Sequence, residues 1–314
     1  MKVLFVGTGE IGVPSLAALL EEKRIEVVGV VTQPNRPVGR KQQLAAPPVK
    51  TFVEKHGILL YQPERINHPD VLEGLAALKP DLAVVCAYGQ ILKPGILELP
   101  RLGCLNIHAS LLPKYRGAAC IQAAIRDGEQ KTGVTIMWMD EGLDTGDILM
   151  KREVEIRQGE TAGMLHDRIA ELAPDVLLEA LQMVEQGTAP RVKQDETMAS
   201  YVGRLKKEDG VVDWSQSAVA IDCHIRAMTP WPSAYTWITL GEPSSRKILK
   251  LHKVKPAERS GDQGKVIEVA KDFVSIGTGE GSLEVYEMQL EGKRRLPCQE
   301  FLKGHHLREG QYLG

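Results

Sequence analysis

The sequence has no long apolar run, no closely spaced pair of cysteines and no marked excess of one charge. No apolar segment approaches the length of a membrane span, and the run at residues 1–7 is too short for a signal peptide. The five cysteines are odd in number and scattered, so the pattern indicates neither a disulfide framework nor a zinc site. We therefore expect a protein of the reducing cytoplasm, with no membrane segment and no metal ion.

The near balance of charge leaves the class of partner open. Of 39 basic and 41 acidic residues, 17 and 15 lie in positions 201–314, which leaves 22 and 26 for the rest and a net charge of −2 overall. Local patches can bind a polyanion on a nearly neutral protein, so nucleic acid is neither required nor excluded. The length of 314 residues favours one larger and one smaller domain.

The first half of the chain alternates short apolar runs with segments of helical periodicity. The apolar runs, rich in Val, Ile and Leu, are residues 2–7, 25–32, 81–87, 103–108 and 133–139. Such alternation predicts an α/β fold with a doubly wound, mostly parallel, Rossmann-like sheet and helices on both faces. A long amphipathic helix is predicted over residues 161–185, followed by an exposed connection.

The last third of the chain consists of short apolar pieces separated by Gly and Pro. These pieces are residues 235–240, 248–254, 264–269, 273–278 and 282–290. Their length and spacing predict a small antiparallel, OB-like barrel. The expected domains are therefore residues 1–188 and 206–314, joined by a linker over 189–205.

A glycine fingerprint follows the first predicted strand. Gly7-Thr-Gly-Glu-Ile-Gly12 matches the pattern of a dinucleotide site. The carboxylate that should end the next strand and hold a ribose is missing, because that strand ends in Val31-Thr32-Gln33-Pro34 and Glu26 lies at its beginning. We therefore interpret the glycines as a tight strand-to-helix turn.

Three polar residues form the strongest candidate site. Asn106 and His108 end an apolar run with period two, so in a strand both side chains leave the same face. Asp144 lies in a later loop, after the run 134–139, and is within reach of the same place. A lone histidine at a strand end is more often structural, but this constellation favours a functional site.

The residues around the candidate site fit direct group transfer better than a covalent enzyme intermediate. Ser110 invites a hydrolase interpretation, but it lacks the Gly-x-Ser-x-Gly turn of an exposed nucleophile. When an amine attacks a carbonyl-type carbon, negative charge grows on oxygen, and Asn106 and His108 are suitable donors to it. Asp144 would orient the imidazole and accept the proton of the amine.

A basic loop follows the second predicted strand. It carries Arg36, Arg40 and Lys41 together with Pro and Gly. Clusters of this kind are often simply solvated, but this one stands at the carboxyl end of the predicted sheet, where it would be placed to grip the phosphates of a large substrate.

Several longer motifs run nearly from one end of the chain to the other. They include Thr32-Gln-Pro-Asn-Arg-Pro-Val-Gly-Arg40, Ala87-Tyr-Gly-Gln-Ile-Leu92, Asn106-Ile-His-Ala-Ser-Leu-Leu-Pro-Lys-Tyr-Arg-Gly-Ala-Ala119, Met139-Asp-Glu-Gly-Leu-Asp-Thr-Gly-Asp147, Gln194-Asp-Glu-Thr197 and Pro230-Trp-Pro232. In these motifs the sequence resembles the 10-formyltetrahydrofolate-dependent formyltransferases. The basic loop and the motifs of the last third resemble the methionyl-tRNA branch of that family.

The resemblance implies a role for each part of the site. Asn106, His108 and Asp144 would be the catalytic trio, and the basic loop with Arg36, Arg40 and Lys41 would lie near the acceptor end of initiator tRNA. The residues implied to line the folate pocket are Ser110, Leu111, Leu112, Pro113, Tyr88, Gly89, Gln90, Ile91 and Leu92. The departures from the family pattern are Gly9, Gly12, Cys120 and Ser233, none of which belongs to the trio.

The resemblance implies formyl transfer from 10-formyltetrahydrofolate to the α-amine of methionine on initiator tRNA. Direct attack by the amine would pass through a tetrahedral intermediate, and we expect the protein to be a monomer. Two alternatives stay open. One keeps the chemistry but formylates a small amine, such as an amino sugar nucleotide or glycinamide ribotide. The other is a non-catalytic RNA-binding protein, against which the trio counts. Binding of charged initiator tRNA and turnover of a small amine separate the first alternative from the expected function, and loss of transfer in His108→Ala would exclude the second.

Overall fold

The computed structural model describes residues 1–38, 42–240 and 246–314. The chain divides into two compact units. Unit 1 comprises residues 1–120, 131–155 and 166–203, and unit 2 comprises residues 121–130, 156–165 and 204–314. Unit 2 therefore takes up two short segments from the first half of the chain.

The strands of unit 1 are β1 (Lys2–Gly7), β2 (Glu26–Val31), β3 (Arg36–Val38), β4 (Gln43–Ala45), β5 (Leu60–Tyr61), β6 (Leu82–Cys86), β7 (Cys104–His108), β8 (Arg116–Gly117), β9 (Lys131–Trp138), β10 (Ile148–Glu155) and β11 (Tyr201–Val202). Those of unit 2 are β12 (Tyr235–Thr239), β13 (Arg246–Ala257), β14 (Val266–Val269), β15 (Val274–Gly277), β16 (Ser282–Leu290) and β17 (Leu296–Pro297). The helices are α1 (Val13–Glu21), α2 (Pro48–Glu54), α3 (Pro69–Ala76), α4 (Pro94–Leu97), α5 (Cys120–Arg126), α6 (Ala162–Glu185), α7 (Ala218–Ala227) and α8 (Cys298–Gly304).

A seven-stranded sheet forms the centre of unit 1, in the order β10-β9-β7-β6-β1-β2-β5. The five strands from β7 to β5 pair in parallel. Every residue of β6 and β7 is buried, as expected for strands covered on both faces. The prediction of a mostly parallel, Rossmann-like sheet is confirmed.

The glycines after β1 allow close packing. A Cβ at Gly7 would lie 2.6 Å from the Phe5 ring and 2.9 Å from the Cys86 carbonyl oxygen. A Cβ at Gly12 would lie 3.3 Å from the Cys86 side chain. A single 3-10 turn, Glu10–Gly12, connects β1 to α1. These contacts support the interpretation of the glycines as a tight turn.

The strand before the Asp144 loop, β9, runs in the direction opposite to β7. β9 runs antiparallel to β7, so that Trp138 near the end of β9 lies opposite Leu105 near the beginning of β7. The loop that carries Asp144 therefore starts from the other end of the sheet. The loop has room to fold back toward Asn106 and His108, because β9 ends at Trp138 and β10 begins only at Ile148.

The sheet of unit 2 is antiparallel, with the order β12-β13-β16-β15-β14 and β17 paired to β16. The last residues of the chain lie between its two outer strands. Val266 donates its N–H to the Gln311 carbonyl at 2.8 Å, and Gly314 donates to the Trp237 carbonyl at 3.0 Å. The prediction of a small antiparallel barrel is confirmed, with the C-terminal tail linking β14 to β12.

No helix formed by the described residues combines the length and apolarity needed to cross a membrane.

Candidate active site

The structure brings Asn106, His108 and Asp144 together. Asn106 and His108 alternate along β7, and both face the Asp144 carboxylate. The Asn106 amide Nδ2 donates to Asp144 Oδ1 at 3.2 Å, and His108 Nδ1 lies 3.6 Å from Asp144 Oδ2. The side chains of His108 and Asp144 are only 6% and 13% exposed. The three groups therefore lie together and are largely shielded from bulk water.

One hydrogen bond of the His108 ring fixes which nitrogen faces the site. Nε2 lies 2.9 Å from the Tyr115 carbonyl oxygen. Because a carbonyl oxygen only accepts, Nε2 carries the hydrogen, and the opposite nitrogen, Nδ1, faces Asp144. Any proton that His108 exchanges with a substrate therefore passes through Nδ1.

Asp144 has an unusual backbone conformation. Its φ of +54° lies in the left-handed region, which typically costs a residue with a side chain about 1–3 kcal/mol. The conformation is supported by the hydrogen bonds that the residue accepts. The Gly117 N–H donates to Asp144 Oδ2 at 2.7 Å, and the Gln194 amide donates to the Asp144 carbonyl at 2.8 Å. The surrounding structure therefore holds the carboxylate in place.

Residues 189–203, which we call the connector, contact the segments that carry the site. Its strand β11 pairs in parallel with β8, and Ser200 accepts a hydrogen bond from the Tyr115 N–H at 2.8 Å through its hydroxyl. Val192 bridges to Ile148 at the end of the Asp144 loop. The connector is exposed along much of its length, yet it is tied to both loops of the site.

Arg116 anchors the connector from inside unit 1. Its side chain is fully buried, and it forms a bidentate ion pair with Glu196 at 2.7 and 2.9 Å. It also donates to Gln194 Oε1 at 2.9 and 3.1 Å and to the Tyr201 hydroxyl at 2.7 Å. These bonds use all five guanidinium N–H groups. The hydrogen bonds to Glu196 raise the pKa of Arg116 and lower the pKa of the Glu196 carboxyl.

The segment 110–113 follows β7 directly. Ser110 and Leu112 are fully buried, and the Ser110 hydroxyl donates to the Lys114 carbonyl at 2.7 Å. Lys151 Nζ contacts the Leu112 carbonyl. Within the segment, Leu111 and Pro113 are half-buried and keep surface available to a ligand. The Ser110 hydroxyl is thus held as a structural donor.

The segment 88–92 follows β6, the parallel neighbour of β7, so both segments leave the sheet at the same edge. Tyr88 and Leu92 are buried, and burial raises the pKa of Tyr88 to about 12. Gln90 donates to Gln33 and to a backbone carbonyl, while Gly89 and Ile91 are exposed. Ile91, with 72% exposure, presents an apolar surface beside a rigid backbone.

The basic loop is described only in part. Arg36 lies at the start of β3 with 60% of its side chain exposed, 3.4 Å from the similarly exposed Glu64. Arg40 and Lys41 lie outside the described residues. Among the residues that are described, no group of three or more His, Cys, Asp and Glu side chains is placed to hold a metal ion.

Comparison with known proteins agrees with this architecture. A formyl transferase family model matches residues 1–181, and the model of the formyl transferase C-terminal domain matches residues 204–306. The chain belongs to the formyl transferase family. The trio lies within the first of the two matched domains, and the connector lies in the sequence between them.

Relatives of this formyl transferase align along its whole length. The methionyl-tRNA formyltransferases of Citrifermentans bemidjiense and Geobacter metallireducens are each 46% identical over 314 residues, covering 100% of this chain and 96% and 99% of theirs. A Helicobacter canadensis N-formyltransferase solved with folinic acid and dTDP-3-aminofucose gives a TM-score of 0.67 at 19% identity, over 91% of this chain and 98% of that one. Aquifex aeolicus HypX with tetrahydrofolic acid gives 0.61 at 21% identity; this chain spans 50% of HypX. These two structures share the fold.

Sequence reasoning assigned no role to four residues that shape the site. Tyr115, Arg116 and Gly117 belong to the Lys-Tyr-Arg-Gly part of the motif after the trio, and Gln194 begins the motif Gln194-Asp-Glu-Thr197. Both motifs contributed to the family resemblance. The sequence signal that could have pointed to these residues is their place in two motifs of the family resemblance whose residues had been given no chemical role.

Proposed function

We propose that this formyl transferase moves the formyl group of 10-formyltetrahydrofolate to the α-amine of methionine on initiator methionyl-tRNA, for translation initiation. The observation that carries the proposal is the meeting of Asn106, His108 and Asp144 in one buried pocket. The acceptor is supported by full-length relatives that bear the name methionyl-tRNA formyltransferase. The N-formyltransferase solved with dTDP-3-aminofucose shares the fold at only 19% identity.

The trio divides the chemistry of the transfer. The folate supplies the formyl group, whose oxygen gains negative charge as the amine adds to the carbon. Asn106 has a second amide N–H beyond the one bound to Asp144. This N–H and the Nδ1–H of the protonated His108 ring stabilise the charge, by roughly 3–4 kcal/mol for each donor. Because 3.6 Å is too long for a hydrogen bond to Asp144, Nδ1 is left available.

Proton transfer completes the reaction. Asp144 accepts the proton of the attacking amine, since its carboxylate is held by the Gly117 N–H and the Asn106 amide. His108 acts with both ring nitrogens protonated, keeps the Nε2 proton on the Tyr115 carbonyl and gives the Nδ1 proton to the departing nitrogen. The proton that Asp144 took from the amine then returns to Nδ1 and restores the starting state. The Tyr115 carbonyl keeps the imidazole ring in place during both steps, because it holds Nε2 at 2.9 Å.

The two segments at the edge of the sheet fit the folate. Exposed Ile91 and half-buried Leu111 and Pro113 offer apolar surface for a planar ring, beside backbone groups held in place by Gln90. We place Ser110, Leu112, Tyr88, Gly89 and Leu92 in the same pocket, as its supporting wall.

For the tRNA we assign Arg36, Arg40 and Lys41, together with the barrel of residues 206–314. The Arg36 side chain is 60% exposed, and its partner Glu64 is also in solvent, so the charge is available to a phosphate. We further propose domains at 1–188 and 206–314 with a linker at 189–205, a monomer, and a cytoplasmic location.

Histidine replacement tests the proposed chemistry. His108→Ala is expected to lower kcat for formylation of methionyl-tRNA by about 10²–10⁴-fold, because it removes the donor and the proton carrier. The gel-shift affinity for charged initiator tRNA should stay within about twofold. His56→Ala, in which an exposed histidine at the end of α2 is removed, is the matched control and should keep full activity.

The acceptor is tested in the same assays. The wild-type protein should bind charged initiator tRNA and formylate it in preference to an amino sugar nucleotide or glycinamide ribotide. Failure to bind tRNA, together with turnover of a small amine, would assign the protein to that other acceptor class. Full activity of His108→Ala would refute the mechanism.

A further inference from the structure

Gln194 of the connector is tied to the Asp144 loop by two hydrogen bonds. Its side-chain Nε2 donates to the Asp144 carbonyl and to the Gly146 carbonyl, both at 2.8 Å. These carbonyls flank Thr145, so the amide spans the turn that starts at the left-handed residue. A single side chain thus holds the backbone from which the Asp144 carboxylate projects.

The orientation of this amide is fixed by its surroundings. Gln194 Oε1 accepts from Arg116 Nε at 3.1 Å and from another nitrogen of the same guanidinium at 2.9 Å. A guanidinium only donates and a carbonyl oxygen only accepts, so a flipped amide would oppose its partners at every contact. The amide has two N–H groups and two lone pairs, and all four are used.

The Asp144 carboxylate is held by the residue that follows Arg116. Arg116 is followed by Gly117, whose N–H donates to Asp144 Oδ2 at 2.7 Å. The Asp144 carboxylate is therefore bound by the residue next to Arg116, and the Asp144 carbonyl is bound by the amide that Arg116 orients. The carboxylate and the carbonyl of Asp144 are thus both held, one by the backbone of β8 and the other by the amide of the connector.

We propose that Gln194 is a positioning residue for Asp144. It holds the Asp144 backbone at φ +54°, from which the carboxylate meets Asn106 and His108. Gln194 lies 50 positions from Asp144 in the sequence, and through it the connector takes part in the site. This inference rests on the proposed function of the trio and adds a residue that acts on it from outside the pocket.

Two substitutions separate positioning from folding. Gln194→Met removes all four hydrogen bonds at similar volume. Gln194→Glu keeps the acceptor for Arg116, with which it forms an ion pair, but places an oxygen without hydrogen against the two carbonyls. The connector therefore stays anchored in Gln194→Glu, while Asp144 loses its backbone support. Gln182→Met, at an exposed position of α6, makes the same chemical change as Gln194→Met with no contact to the site.

The kinetic expectation is a change in kcat with little change in KM. A displacement of about 1 Å at a reacting group costs roughly 10²-fold in rate, so kcat for methionyl-tRNA should fall by about 10–100-fold in both Gln194 variants. KM for tRNA and for 10-formyltetrahydrofolate should stay within about twofold. Gln194→Glu should still unfold cooperatively, with a Tm lowered by about 6 °C for its two lost hydrogen bonds. Gln182→Met should match the wild type in every measurement.

A second readout does not depend on activity. The ¹⁵N chemical shifts of the His108 ring, measured at one pH, should move in Gln194→Glu in the same direction as in Asp144→Asn and stay unchanged in Gln182→Met. Unchanged shifts and wild-type kcat in a folded Gln194→Glu would overturn the inference. If instead the wild type fails to formylate methionyl-tRNA, or His108→Ala is fully active, the proposed function fails, while the ¹⁵N shifts still decide whether Gln194 positions Asp144.

Discussion

Replacing Gly117 with alanine should disturb stability and activity together, because this glycine joins the connector to the site. A Cβ at Gly117 would lie 2.2 Å from the Val202 carbonyl oxygen, and its φ of +106° is unfavourable for any other residue. The clash separates β8 from β11. The two flanking hydrogen bonds, from Arg116 N to Ser200 O and from Ala118 N to Val202 O, are then lost.

The size of the effect follows from these contacts. The left-handed backbone costs alanine about 1 kcal/mol or more, and each lost hydrogen bond about 1 kcal/mol, giving about 3 kcal/mol in all. Gly187→Ala is the matched control, because Gly187 has φ +68° and a Cβ added there would meet nothing within 4 Å. It should bear the backbone cost alone, about 1 kcal/mol.

Calorimetry and kinetics provide the assay. At about 3 °C per kcal/mol for a unit of this size, Gly117→Ala should lower Tm by about 10 °C and Gly187→Ala by about 3 °C. Only Gly117→Ala should also lower kcat for formyl transfer, since its N–H orients the Asp144 carboxylate. Equal Tm and equal kcat in the two variants would refute the packing of the connector against β8.

Arg40→Ala should weaken binding of initiator tRNA and reduce the slope of log affinity against log salt by about one, as measured by filter binding; a change in folate affinity alone would contradict the assignment. Burial lowers the pKa of His224 below 6.5, outweighing its hydrogen bond to Gly210. The unfolded state therefore binds the His224 proton more tightly than the folded state, and the free energy of unfolding should decline as the pH falls below 6.5. His224→Asn should reduce the decline in Tm over that range. The hydrogen bond from Arg116 lowers the pKa of Glu196 below 4.5, so its contribution is present above pH 4.5 and is lost in acid; Glu196→Gln should show a shallower acid limb of Tm than wild type.

The parts of the fold that depend on local pattern were predictable from the sequence. The apolar runs at 2–7, 103–108 and 282–290 match β1, β7 and β16 closely, because a buried strand needs only a short apolar run between breakers. The convergence of Asn106 and His108 followed from their period of two. The alternation of strands and helices likewise indicated the parallel sheet.

Features that depend on contacts between residues far apart in the sequence were not predictable. An apolar run is the same in either direction, so the sequence does not tell that β9 is antiparallel to β7 or that the Asp144 loop folds back. Arg116 and Gln194 meet over 78 positions, and nothing local marks either side chain as part of the site. The connector was expected to be an exposed linker because its composition is polar. Its role depends on a buried guanidinium that only the structure shows.

The most direct test of the central claim is mass spectrometry of methionyl-tRNA after incubation with the protein and 10-formyltetrahydrofolate. The account predicts a formyl group on the α-amine of methionine with the wild-type protein and only a trace with Asp144→Asn, in which the amine loses its proton acceptor. Unmodified methionyl-tRNA after incubation with the folded wild-type protein, or equal formylation by Asp144→Asn, would contradict it.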